Sequence, residues 1–183
     1  MKSSKHLLAA VLAGAWLLMA PAAQALDAGV AAPMFSLPTP SGKPFNLADA
    51  KGKVVYVDFW ASWCGPCRQS FPWLNAMQAK YGAQGFQVVG INLDKKRDEA
   101  NAFLAQTPAK FLIAFDVAGE TPKQYGIKGM PSSALVGADG KVILMHAGFR
   151  DDERAELEAK IVDRKSTRLN SSHSSVSRMP SSA

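Results

Sequence analysis

The chain has 183 residues, 48% hydrophobic and 20% charged, which suits one globular domain with its own core. Its formal charge of +6 is concentrated at the two ends, and residues 26–162 carry only +1, so there is no electrostatic case for nucleic-acid binding. That stretch holds two cysteines and one histidine, His146, too few for the roughly four ligands of a structural zinc site.

Residues 1–25 read as a secretory signal peptide. Lys2 and Lys5 precede an apolar run, Leu7 to Ala20, and Ala23-Gln24-Ala25 is a cleavage signal, with cleavage expected before Leu26. The run is shorter than the roughly 18–20 residues of a membrane span. No cysteine stands near the site to take a lipid anchor.

Pro-flanked Ala32–Pro38 and Pro44–Leu47 predict a short N-terminal β-hairpin turning at Ser41-Gly42-Lys43. Lys53–Trp60 is β-branched and aromatic throughout, as in a central strand buried on both faces. A helix is expected from Cys64 to about Tyr81, kinked at Pro72 and ended by Gly82 and Gly85. Phe86–Asn92 predicts a second central strand. Lys95–Gln106 predicts a helix with Ala100, Phe103 and Leu104 on its inner stripe, stopped by Thr107-Pro108. Phe111–Phe115 predicts a third strand and Thr121–Tyr125 a short helix. Ser133–Val136 and Val142–Ala147 predict a hairpin turning at Asp139-Gly140, and Asp151–Val162 a final amphipathic helix. The order implies an α/β domain over 26–162: a mixed central sheet with helices on both faces, the N-terminal β-hairpin and a central αβ insertion.

Residues 163–183 are rich in Ser and Arg without apolar period. Residues 163–173 and 177–183 match, in frame, the translation of a common short-read sequencing adapter, with 174–176 at the position of its index. The tail is therefore expected to be non-native read-through, with the native C-terminus lost beyond about Val162.

Both cysteines lie in Trp63-Cys64-Gly65-Pro66-Cys67, between the first central strand and its helix. Strand, turn, C-x-x-C, helix is the context of a reversible dithiol. Unpaired N–H groups and the positive end of the helix dipole favour a thiolate there, and the thiolate is the nucleophile of disulfide exchange. Covalent haem would need His after the second cysteine, where Arg68 stands. A permanent bridge across three residues would close almost no loop and stabilise little. Cys64, facing solvent, is expected to attack, and Cys67, one turn in and shielded, to resolve the mixed disulfide. Asp58, inside an apolar strand, is expected to be buried, with a raised pKa suited to shuttling a proton to or from Cys67. Pro131 precedes a strand, and spacing alone favours an ordinary trans turn at Gly129-Met130-Pro131, although a cis bond would free the Met130 backbone to pair with an extended substrate.

Asp58-Phe59-Trp60-Ala61-Ser62-Trp63-Cys64-Gly65-Pro66-Cys67 resembles the active-site segment of the thioredoxin superfamily, across about Ala32–Val162. The front hairpin, the Lys95–Phe115 insertion and the signal peptide resemble its exported TlpA/ResA-type thiol–disulfide oxidoreductases. The resemblance implies the thioredoxin fold, a cis Met130–Pro131 bond and a substrate groove with Trp63, Gly65, Pro66, Met130, Pro131 and Gly148. It implies a redox-active Cys64–Cys67 disulfide as the sole redox group, no metal, protein disulfide substrates, a membrane thiol donor, a monomer and a periplasmic location. Gly90 stands where thioredoxin has a lysine beside its buried aspartate, so Asp58 is expected to lack that partner. Asn92-Leu93-Asp94-Lys95 does not show the acidic residue of some members that serve cytochrome c maturation.

The leading expectation is a disulfide reductase. The alternatives are a periplasmic oxidase or isomerase and, in another class, a non-enzymatic copper-binding or redox-sensing module using His146 and Met130. A thiol peroxidase would need an activated cysteine outside the C-x-x-C.

Overall fold

The computed structural model describes residues 26–164. The expected signal peptide and all but the first two residues of the expected adapter-derived tail lie outside that range.

The expected order of elements is present. Strands β1 (Ser36–Leu37) and β2 (Phe45–Asn46) pair antiparallel as the front hairpin. Then come β3 (Val54–Trp60), α1 (Gly65–Tyr81), β4 (Phe86–Asn92), α2 (Arg97–Gln106), β5 (Leu112–Phe115), α3 (Glu120–Gln124), β6 (Ser132–Val136) and β7 (Val142–Ala147). A 3-10 turn, Asp151–Glu153, leads into α4, residues 154–164. The main sheet has the order β5-β4-β3-β6-β7. Strands β3, β4 and β5 run parallel, joined by helical crossovers, while β6 and β7 are antiparallel to their neighbours.

All seven residues of β3 are buried, which is why it reads as an unbroken apolar run despite Asp58. Successive side chains alternate between two cores. On one face, Val54, Tyr56 and Trp60 pack with Phe71 and Leu74 of α1, Phe103 of α2, and Leu157 and Ile161 of α4. On the other, Val55, Val57 and Phe59 pack with Phe35 and Phe45 of the hairpin and Tyr125 after α3. Helices therefore cover both faces.

The boundaries differ from expectation where side chains pin the backbone. Helix α2 begins at Arg97 rather than Lys95 because the preceding stretch is held elsewhere: Leu93 N–H donates to the Trp60 carbonyl at 2.9 Å, and Lys95 Nζ donates to the Val117 carbonyl at 2.7 Å. Helix α3 begins at Glu120 because the Asp116 carboxylate accepts the N–H groups of Gly119 and Thr121 at 2.8 and 2.7 Å. Helix α1 runs on through Pro72 and ends at Gly82, and Gly85, at φ +81°, turns the chain into β4. Glu158 on α4 accepts from Lys80 and Tyr81 at 2.7 and 2.6 Å, tying the last helix to the end of α1.

A thiol–disulfide site at the head of α1

Strand β3 delivers the chain to its C-terminal edge, and the turn at residues 61–63 aims it into α1. Cys64 is the N-cap residue: its Sγ accepts the Cys67 N–H at 3.2 Å, one of the donors left free by the first helical turn. Pro66 sits in that turn, where a missing N–H costs nothing. Cys64 and Cys67 form a disulfide, with Cα atoms 5.3 Å apart.

Cys67 is fully buried, as expected for the inner sulfur. Cys64 departs from expectation. It is only 4% exposed rather than facing solvent, because its sulfur is drawn onto the helix end by the bond to Cys67 and the N–H it accepts. The exposed groups at this end are Trp63, at 71%, with Gly65 and Pro66.

Asp58 lies on the same face of β3 as Tyr56 and Trp60 and is 3% exposed. Burial pushes its carboxyl up from an ordinary 3.8 to about 8. Its Oδ2 has no hydrogen-bond partner among the described residues. Gly90 stands opposite Asp58 in register. A Cβ there would meet Phe111 at 2.9 Å and both Ile113 and the Trp60 indole nitrogen at 3.1 Å, so nothing larger fits. Burial, then the Asp58 charge, pushes the Tyr56 phenol above its ordinary range, against its hydrogen bond with Ser133.

The Met130–Pro131 bond is cis, which corrects the trans turn favoured by spacing and agrees with the resemblance. Gly148, at φ +86°, donates its N–H to the Pro131 carbonyl at 2.8 Å, closing β7 against the head of β6. A groove of about 420 Å³ opens there, lined by Met130, Pro131, Met145, His146 and Gly148 among others. Met130 also packs against the core cluster that contains both cysteines.

Sequence reading missed Asp94. This buried carboxylate accepts the Ser62 N–H at 2.9 Å, the Ser62 hydroxyl at 2.9 Å and the Asn92 amide at 2.7 Å, and so fixes the turn ahead of Cys64. It also missed the Ser133 hydroxyl, which donates to Tyr56 at 2.7 Å. The signal for Asp94 was a second acid just past a buried strand, at the same edge as the cysteines. His146 and Met130, the candidates for copper, both line the groove, but among the described residues no three His, Cys, Asp or Glu side chains gather to hold a metal ion. Nor is any described helix long and apolar enough to cross a membrane.

A C-x-x-C disulfide capping the first helix of a thioredoxin fold defines a class, the thiol–disulfide oxidoreductases. Residues 27–161 match the Redoxin family model, and the chain belongs to that family as a TlpA/ResA-like member of the thioredoxin superfamily. It is 35% identical over 131 residues to the thiol-disulfide oxidoreductase ResA of Bacillus thuringiensis subsp. konkukian (strain 97-27), covering 72% of this chain and 76% of that protein. It is 34% identical over 139 residues to the thioredoxin-like protein YneN of Bacillus subtilis (strain 168), covering 74% and 79%. Among solved structures, a Chlorobium tepidum protein described as thiol:disulfide interchange protein DsbE is 57% identical, with a TM-score of 0.75, over 77% of this chain and 99% of that one.

Proposed function

We propose that this oxidoreductase works as an exported disulfide reductase on protein substrates. The observation that supports this reading is the placement of the disulfide: Cys64 caps the head of α1, and Cys67 lies behind it, shielded, on the face that holds Asp58. In the reduced protein the helix N-terminus favours the Cys64 thiolate. An extended substrate segment pairs with the backbone at Met130 while Trp63, Gly65, Pro66, Pro131 and Gly148 bound its path. The Cys64 thiolate attacks one substrate sulfur and the other leaves as thiolate, giving a mixed disulfide. Cys67 yields its proton to Asp58, and the new thiolate attacks Cys64 Sγ, releasing the second substrate thiolate and restoring the Cys64–Cys67 disulfide. A membrane thiol donor returns two electrons and two protons. The two sulfurs are the only redox groups in these steps, and a periplasmic monomer suits the chemistry; the Chlorobium tepidum relative's description as an interchange protein is consistent with it.

Two measurements test this. Cys67→Ala is expected to accumulate the mixed disulfide through Cys64, visible on non-reducing gels, whereas Cys64→Ala forms none; trapping through Cys67 instead would reverse the assigned roles. The Cys64–Cys67 potential is expected near about −270 mV, as in thioredoxin, against about −120 mV for a dedicated oxidant. A value at the oxidising end would make the protein an oxidase and overturn the reductase reading.

A further inference from the structure

Any proton that Asp58 takes from Cys67 must leave, and Asp58 is enclosed. Toward β4 it faces Gly90, and the space there is filled by Phe111, Ile113 and Trp60. The nearest atoms there are two apolar side chains and the indole nitrogen of Trp60, which is not basic. The other side differs. Asp58 pairs in register with Ser133 on β6, and Ser133 pairs with His146 on β7. Residues directly opposite across antiparallel strands point to one face, with Cβ atoms about 4.5–5.5 Å apart. Asp58, Ser133 and His146 therefore form a lateral file from the centre of the sheet to its edge.

The file continues. His146 Nε2 lies 3.3 Å from Glu153 Oε2, within ion-pair reach but outside hydrogen-bonding geometry. Glu153 also accepts from the exposed Arg150 guanidinium at 2.8 Å. Asp58 Oδ2, His146 Nε2 and Glu153 Oε2 are buried and make no hydrogen bond among the described residues, an unusual concentration of uncommitted titratable atoms. Two further buried nitrogens, Trp60 Nε1 and Arg154 Nε, also make no hydrogen bond among the described residues. Tyr56 takes the Ser133 hydrogen bond, and Arg154 of α4 pairs with Asp151 and lies over the Phe149 ring. His146 is also among the residues that line the groove at the cis-proline.

We propose that Ser133, His146 and Glu153 form a proton relay that carries the Cys67 proton from Asp58 to the substrate groove during resolution of the mixed disulfide. The inference rests on the Asp58 reading above. The balance is simple. Cys67 loses a proton to Asp58 as its sulfur attacks Cys64 Sγ; Asp58 passes it to the Ser133 hydroxyl, which turns its own proton from Tyr56 to His146; His146 releases it to water at the groove, and that water protonates the departing substrate thiolate. Glu153 holds the imidazole and takes the proton to solvent when no thiolate is present. His146 touches no reacting atom and acts through Asp58.

The test is the stopped-flow oxidation of the reduced protein by a symmetrical aromatic disulfide, 5,5′-dithiobis(2-nitrobenzoate). It releases one chromophoric thiolate on attack by Cys64 and a second on attack by Cys67. In dilute buffer at pH 7, His146→Gln is expected to slow the second release by about tenfold, less than the roughly 10²–10⁴-fold of a group that takes the proton directly, and to leave the first unchanged. Added imidazole at fixed pH and ionic strength is expected to restore it, and Glu153→Gln to slow it less. In an Asp58→Asn background, itself slow, His146→Gln is expected to add nothing. Wild-type second phases in His146→Gln and Glu153→Gln beside a slow Asp58→Asn overturn the relay and leave the Asp58 role standing. A wild-type rate in Asp58→Asn overturns both. A defect that imidazole does not restore, or that persists in the Asp58→Asn background, makes His146 structural and also overturns the relay. Should His146→Gln not fold, Glu153→Gln carries the same comparisons.

Discussion

Asp58 ionises near 3.8 in an unfolded chain and near 8 in the folded protein, because burial acts on it with no cation in reach. Between those values the folded state holds a proton that the unfolded state has lost. This group's effect on stability is therefore nil below about pH 4 and grows more unfavourable as pH rises toward 8, since stability rises with pH only where the unfolded state binds more protons. Each tenfold difference in proton affinity is worth about 1.36 kcal/mol, so the ceiling at pH 7 is on the order of 4 kcal/mol. Asp58→Asn removes the charge and keeps the shape. The oxidised variant is expected to match wild type near pH 4 and to be more stable by a few kcal/mol at pH 7.5, read by urea unfolding at both pH values. Parallel pH dependence in the two proteins would sink this account.

The turn between β3 and α1 has little to hold it locally, since Ala61, Ser62 and Trp63 are neither helical nor strand. What holds it is the stretch after β4. Asp94 takes both Ser62 donors, and Asn92 and Leu93 close the rest of the gap. Hydrogen bonds to a buried charge are worth about 1.5–3 kcal/mol each, and the donors left behind cost more than the mean. Asp94→Ala is expected to lower stability by about 3 kcal/mol, with Asp94→Asn, which keeps an acceptor, intermediate. Thermal unfolding checks it, and a loss under about 0.5 kcal/mol, a surface-like value, would show that the turn holds itself.

Across the whole molecule, the face that carries the site is closed by α1 and α4 together. Ile161 is fully buried in the same cluster as both cysteines, although it stands almost a hundred residues away in sequence. Ile161→Ala is expected to cost about 2–5 kcal/mol, the range for a large aliphatic side chain truncated in a core. The Lys80–Glu158 pair on the same helices is exposed on its lysine side, at 59%, and Lys80→Ala is expected to cost far less than Ile161→Ala, because solvent screens the pair. Chemical denaturation of the two variants separates the contributions. If Lys80→Ala were the more damaging, α4 would be held by its charges rather than by its apolar face.

The elements, their order and the dithiol were legible in the sequence because each rests on local chemistry. Alternation and apolar runs mark the strands, Asp139-Gly140 marks the hairpin, and a C-x-x-C between a strand and a helix leaves few other uses for its sulfurs. The burial of Asp58 and its missing cation could be read as well, one from its apolar neighbours and the other from Gly90. The tertiary structure decided what depends on contacts distant in sequence. Asp94 reaches Ser62 across 32 positions and Ser133 reaches Tyr56 across 77, and no periodicity announces either. The seating of Cys64 against the helix end, the cis bond at Pro131 and the file from Asp58 to Glu153 belong to the same group. Sheet register alone places Asp58, Ser133 and His146 side by side, and a slip of one residue would turn each strand's side chains to the opposite face.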